Sequence, residues 1–299
     1  MKHVWILGGA TASGKTALAI QLANILNTEI INCDSRQVYR ELNIGVAKPT
    51  ADELNMVHHH GVNVTSIEDH FSAGSFQQLV RPTLDSLLER HNHVVVTGGT
   101  GLYIQHLLFN VDELPEVDWE LREQVNQWES ALGIEFIAQK LLEKDPEAGN
   151  YVKLDNPARV KRALELTLQL NKPLQEIFSQ KISPYNEKYQ LHFLAIDIPR
   201  EILYQRINQR VDHMVADGLL QEVENLVPKS KLKALQTVGY TELFNYFNGD
   251  STLEQAIDLI KQHTRNYAKR QITYFKHQFP TQWHSPQQIL EIVSNFAVQ

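Results

Sequence analysis

Gly9-Ala10-Thr11-Ala12-Ser13-Gly14-Lys15-Thr16 is the stretch that decides the fold of this chain. The apolar run Val4-Trp5-Ile6-Leu7 leads into it, and Ala17-Leu18-Ala19-Ile20-Gln21-Leu22-Ala23 follows at helical spacing. Strand, glycine-rich turn and helix form the setting in which G-x-x-x-x-G-K-[ST] reads as a phosphate cradle. The two glycines let the backbone curl with its N–H groups inward, and the following helix adds its positive N-terminal end. Gly9 to Thr16 are therefore expected to hold a diphosphate or triphosphate. Lys15 supplies a mobile positive charge, and the Thr16 hydroxyl is the expected ligand of a magnesium ion, Mg2+. A plain tight turn would not require Lys15-Thr16 after the second glycine.

Outward from this loop the first third of the chain alternates strand and helix. Glu29-Ile30-Ile31-Asn32-Cys33 reads as a short buried strand ending at Asp34-Ser35, and Phe76 to Arg90 reads as a helix with an apolar face at Leu79, Leu84, Leu87 and Leu88. His93-Val94-Val95-Val96-Thr97 is a second buried strand, running into Gly98-Gly99-Thr100-Gly101. This order implies an α/β fold, a P-loop NTPase-like parallel sheet flanked by helices. Such sheets bind ligands at the carboxyl ends of their strands, so the P-loop, Asp34 and Thr100 are expected on one crest.

After Leu114-Pro115 the texture changes. From Trp119 to about Phe178 the periods are helical, with breaks at Gly133 and Asp145-Pro146. Leu191 to Ile196 returns to the sheet. A long helix with Arg200, Arg206, Arg210 and His213 follows, then a helix over Glu254 to Lys276 and one more helical stretch within 282–299. The expected division is a catalytic core of residues 1–114 and 191–299 around an all-helical insertion domain, 115–190.

Composition narrows the class. The 299 residues are 42% hydrophobic and 21% charged, as in ordinary globular proteins. No apolar run approaches the ~20 residues that cross a bilayer, and the start lacks a signal-peptide pattern. Cys33 alone excludes an internal disulfide and a cysteine-rich zinc module. A cytoplasmic monomer with no membrane contact is expected. The net charge of −7 excludes a globally basic nucleic-acid binder and leaves local basic patches open.

Asp34-Ser35-Arg36-Gln37-Val38-Tyr39 has two readings. Asp34 or Ser35 caps the following turn, or the carboxylate beside a phosphate site serves as a general base. Arg36 and Gln37 could read a base edge or a phosphate. Together with Gly98-Gly99-Thr100-Gly101-Leu102-Tyr103, Ile44-Gly45-Val46-Ala47-Lys48-Pro49, Arg159 to Glu165, Val238 to Leu243 and Thr264 to Gln271, these stretches make the chain resemble the tRNA dimethylallyltransferase family, also called tRNA isopentenylpyrophosphate transferases. The matches run in order from residue 4 to about 276. Ala10 stands where the family has proline, Val46 where it has threonine, and Asp155-Asn156 where it has Asn-Asp.

The resemblance implies transfer of a dimethylallyl group from dimethylallyl diphosphate to N6 of adenine 37 in tRNA. It implies Asp34 as base and Thr100 as a hydrogen-bonding partner of the amine or bridging oxygen. Lys15, the loop amides, Mg2+ on Thr16, and Arg206 or Arg210 would stabilise the leaving diphosphate. Asp34, Ser35, Arg36, Gln37, Thr100, Arg122, Arg159, Arg162, Arg265 and Lys269 would contact tRNA, with the insertion clamping the anticodon stem. Rival readings are a P-loop kinase of a small molecule or nucleotide and an isopentenyltransferase of free adenylate. Tyr267, Tyr274 and Trp283 read as core. No metal is expected at His58-His59-His60, because consecutive histidines in a loop do not converge like spaced ligands.

Overall fold

The structure, a computed structural model, describes residues 1–109, 114–178, 183, 185 and 188–297. Its elements run β1 (Lys2–Gly8), α1 (Lys15–Ile25), β2 (Ile30–Asn32), α2 (Ala51–Met56), β3 (His59–His60), α3 (Ala73–Arg90), β4 (His93–Thr97) and α4 (Gly101–Leu108). Then come α5 (Trp119–Leu132), α6 (Ile134–Lys144), α7 (Pro157–Leu170) and α8 (Leu174–Ile177). The chain returns through β5 (Tyr189–Ile196), α9 (Arg200–Ala216), α10 (Leu219–Glu224), α11 (Tyr240–Phe247), α12 (Leu253–Gln278), β6 (Gln282–His284) and α13 (Pro286–Ala297).

Two compact units result, Met1–Leu108 with Pro184–Gln299, and Phe109–Ser183. The first carries one parallel sheet, ordered β3-β2-β4-β1-β5-β6 among the described residues. β1 lies at its centre, pairing β4 from His3↔His93 to Leu7↔Thr97 and β5 from Lys2↔Tyr189 to Gly8↔Ala195. Both faces of a parallel sheet need cover, which is why these strands read as continuous apolar runs. On one face Trp5 and Leu7 pack with Leu18, Leu22, Ile289 and Val293 of α1 and α13. On the other, Phe275 of α12 fills the place that a side chain at Gly8 would take. Two strands escaped the sequence reading: β3 has two residues and β6 three, too short for a hydrophobic period.

The unit Phe109–Ser183 is all-helical in its described part, around Val125, Ile137, Leu141, Val160, Leu164 and Leu174. The Asp145-Pro146 break is held by the buried Asp145 carboxylate, which accepts from Leu174 N–H (2.7 Å) and Glu147 N–H (3.1 Å). Asn156 caps α7 by accepting from Arg159 N–H, so the second residue of the reversed Asp-Asn pair has a structural task. The boundaries fall before those expected at 114/115 and 190/191. Tyr185 explains the second one, since its hydroxyl donates to Asp85 (2.9 Å) and its ring stacks on Tyr189. No described helix is long and apolar enough to cross a membrane.

Candidate active site

The P-loop follows β1 and turns into α1 at Gly14, whose φ of 94° lies in the left-handed region that glycine adopts without strain. The first-turn amides of α1 have no intrahelical acceptors. Ala10 and Ala12 pack on Leu203, Ile207 and Ala268 of α9 and α12, which fixes the loop from behind. Lys15 Nζ donates to Ala10 O (2.6 Å). Burial, then the nearby Arg210 guanidinium, pulls the Lys15 ammonium down to about 8 against the pull of Asp34. Ser13 Oγ is buried without a hydrogen-bond partner. A buried, unpaired hydroxyl beside the orphan first-turn amides of α1 suits a seat for an oxygen-rich anion.

β2 and β4 deliver the other half of the site to the same crest. Gly98 has a φ of 155°, and a Cβ there would lie 2.1 Å from Cys33 O, so only glycine lets the strands converge. Asp34 Oδ1 accepts from Arg36 N–H (2.9 Å) and Gln37 N–H (3.3 Å). The cap and base readings are thus compatible: one oxygen holds the turn, and Oδ2 has no hydrogen-bond partner among the described residues. Gln271 of α12 joins the two halves. Its Oε1 accepts from Thr11 N–H (2.8 Å) while its Nε2 donates to Gly99 O (3.0 Å).

A cavity of about 1140 Å3 opens over this crest. Thr11 to Thr16, Asp34 to Gln37 and Arg210 line it, joined by His263, Tyr267, Arg270 and Gln271 from one face of α12. Of these, His263, Tyr267 and Gln271 carry no site expectation from the sequence, although the 4-3-1 spacing of the four marks a common face. Tyr267, read as core, is part of the wall beside Asp34 and Thr100, and burial pushes its phenol up to about 12. Glu242 anchors His263, with Oε1 2.5 Å from Nδ1, while its other oxygen accepts from Gly239 N–H.

Several expected contacts look different in place. Gln37 is buried and spent on structure: its Oε1 accepts from Asn32, and its Nε2 donates to Val46 O and Ala47 O. Thr100 stands behind the cavity wall, its Oγ1 accepting from Ser35 N–H (3.0 Å) and donating to Ser35 Oγ (3.2 Å). Arg36 reaches away to Ala234 O. Of the two arginines considered for the diphosphate, Arg210 lines the cavity, donating weakly to Thr11 Oγ1 (3.4 Å), whereas Arg206 is exposed outside it. Arg265 is held by Asn208 Oδ1 (2.7 Å) and Lys269 is exposed.

In the helical unit Arg122 forms a two-toothed pair with Glu165 (3.0 and 2.7 Å), which Arg162 also contacts (3.1 Å). Burial alone would raise Glu165, yet the two guanidiniums hold its carboxyl below the usual range. Neither arginine is free in the way a surface phosphate contact is. Arg159, on the first turn of the same helix, is exposed. As to metals, Thr16 lines the cavity beside the loop amides and offers a hydroxyl, a hard oxygen donor of the kind Mg2+ takes together with phosphate oxygens and water. The donor set therefore fits that ion.

A P-loop, a parallel α/β sheet and a carboxylate on the same crest define a P-loop-fold transferase. The family model described as IPP transferase matches residues 37–278, and the chain belongs to that family. A tRNA dimethylallyltransferase of Flavobacterium johnsoniae is 41% identical over 95% of this chain and 93% of its own length. One from Cytophaga hutchinsonii is 42% identical over 98% and 96%. Among solved structures, the tRNA isopentenylpyrophosphate transferase of Bacillus halodurans superposes with a TM-score of 0.71 at 34% identity, covering 99% of this chain and 95% of that one. A eukaryotic dimethylallyltransferase, captured acting on tRNA, gives 0.79 at 26% identity over 100% and 78%.

Proposed function

We propose that the chain transfers the dimethylallyl group of dimethylallyl diphosphate to N6 of the adenine at position 37 of tRNA, releasing diphosphate. The single observation that carries this reading is the pairing of one free carboxylate oxygen, Asp34 Oδ2, with a P-loop in one cavity. A phosphate-binding module needs no such base. A base without the cradle would have no leaving group to match.

The exocyclic amine of adenine is a poor nucleophile because its lone pair is shared with the ring. As N6 attacks C1 of the allyl group, the C1–O bond breaks, the bonding pair leaves with the diphosphate, and the amine proton passes to Asp34 Oδ2. Negative charge grows on the departing diphosphate, where Lys15, Arg210 and the loop amides would stabilise it. Thr16 would hold Mg2+, which when bound supplies further neutralisation of the diphosphate. Thr100 acts as a positioning residue, fixing Ser35 and through it the Asp34 turn. Tyr267 and Arg270 flank the space beside Asp34, where an extruded adenine would sit.

The basic residues of the helical unit would serve tRNA phosphates, with Arg159 free to do so and Arg122 and Arg162 shaping the scaffold through Glu165. The test is incubation of the protein with dimethylallyl diphosphate labelled in the allyl group, offered tRNA or AMP. Label in tRNA alone is expected. Label in AMP would instead favour a free-nucleotide transferase, and phosphate transfer from ATP to a small molecule without prenyl transfer would favour a kinase.

A further inference from the structure

Glu29, His58 and His60 converge at the edge of the sheet, apart from the cavity, which none of them lines. Glu29 immediately precedes β2. β3 runs beside that strand with Ile30 opposite His59 and Ile31 opposite His60, and Ile30 N–H donates to His58 O (3.0 Å). Side chains alternate along an extended chain, so His58 and His60 share one side while His59 turns inward and is buried. The run of three histidines therefore does what a loop reading denied it: its first and third members face a carboxylate.

The geometry is close. His60 Nε2 lies 2.7 Å from Glu29 Oε2, the His58 and His60 rings meet edge to face at 4.3 Å, and one ligand atom from each residue falls within 4.8 Å of the others. His91, just past α3, sets its Nε2 3.6 Å from the other carboxylate oxygen, and that buried nitrogen has no hydrogen-bond partner.

We propose that Glu29, His58 and His60 form a divalent transition-metal site suited to Zn2+, with its fourth position open to water. Two imidazoles and a carboxylate are donors that this ion accepts, and bonds of about 2.0–2.2 Å would set the ligand atoms roughly 3.3–3.5 Å apart. The hydrogen-bonded pair must open by under about 1 Å and a pair at the wide limit close by up to about 1.5 Å, movements within side-chain reach. The backbones that carry the ligands are joined by strand hydrogen bonds, so little ordering is left to do. Arg90 opposes the ion, with Nη1 3.3 Å from Glu29 Oε1, but its side chain is 55% exposed and can swing into water at small cost. The site would tie the two-residue edge strand β3 to β2, the strand that leads to Asp34. Its role is structural.

The experiment uses the full chain after chelator dialysis, with Zn2+ titrated calorimetrically, melting curves recorded with and without Zn2+, and Co2+ as a spectroscopic probe. One equivalent should bind, raise the melting temperature by mass action, and give the strong visible absorption of four-coordinate Co2+. His58 is exposed, so His58→Gln should fold normally. It should lose affinity by on the order of tenfold or more, the scale at which even outer partners of metal ligands act. It should also lose the melting shift. Arg90→Ala should bind more tightly. Absence of stoichiometric binding by the unaltered chain, or wild-type affinity and spectrum in His58→Gln, would overturn the assignment.

Discussion

Gln271→Met keeps the length and most of the volume of a buried side chain while deleting both of its hydrogen bonds, to Thr11 N–H and Gly99 O. A buried polar group left unsatisfied costs about 1–3 kcal/mol, so two would cost roughly 2–6 kcal/mol if water stayed out. The cavity lets water reach the Thr11 side, which favours the lower end, about 2–3 kcal/mol. Urea unfolding of the variant should show that loss. Because Thr11 is part of the loop, calorimetric affinity for dimethylallyl diphosphate should also fall, by on the order of tenfold for each ~1.4 kcal/mol of misplaced amide contact. Gln271→Glu keeps the acceptor for Thr11 but sets an oxygen against Gly99 O, and should retain donor affinity better than stability. If Gln271→Met left both quantities unchanged, the idea that this side chain locks the two halves of the crest would be refuted.

Arg159→Glu should weaken tRNA binding and lower its salt dependence by a slope of roughly 0.7 to 0.9 with unchanged melting. Arg122→Ala, which strips the buried Glu165 of its two-toothed partner, should instead cost about 1–3 kcal/mol of unfolding free energy. Equal effects of the two on tRNA affinity would contradict the division of labour. His192, stacked on Trp5 and beside His3 and His93, is pulled down to about 4 by burial and by those neighbouring histidines. Between pH 6.5 and about 4 the unfolded chain binds a proton there that the folded chain does not, so this group lowers stability progressively as pH falls through that window. His192→Phe should flatten the acid limb of unfolding free energy against pH. An unchanged limb would remove His192 from its cause.

The P-loop, its strand and helix, and the crest at Asp34 and Thr97 to Gly101 were legible because each is a local pattern: an apolar run, then glycines, then a helical period. The β1, β4 and β5 strands and the long helices followed from the same logic. β3 and β6 were not legible, having too few residues to show a period. Partner choice was equally hidden. That Gln37 serves Val46 and Ala47, that Glu165 claims Arg122 and Arg162, and that Arg210 rather than Arg206 faces the cavity depend on contacts far apart in sequence. The shared side of His58 and His60 was hidden for a related reason. Taken as a loop the run has no common side, whereas pairing with β2 makes it extended and gives it one.

The most direct test of the proposed chemistry is single-turnover transfer by Asp34→Asn. Asparagine keeps an oxygen for Arg36 N–H and Gln37 N–H, so the turn should hold and tRNA and donor affinities should stay near those of the unaltered chain. It offers no carboxylate to take the N6 proton, and the transfer rate should fall on the order of 10²–10⁴-fold. Thr100→Ala, which removes hydrogen bonds to Ser35 and Tyr267, should fall by less. A rate for Asp34→Asn close to that of the unaltered chain, with affinities preserved, would show that Asp34 is a cap alone and that the proton leaves by another route.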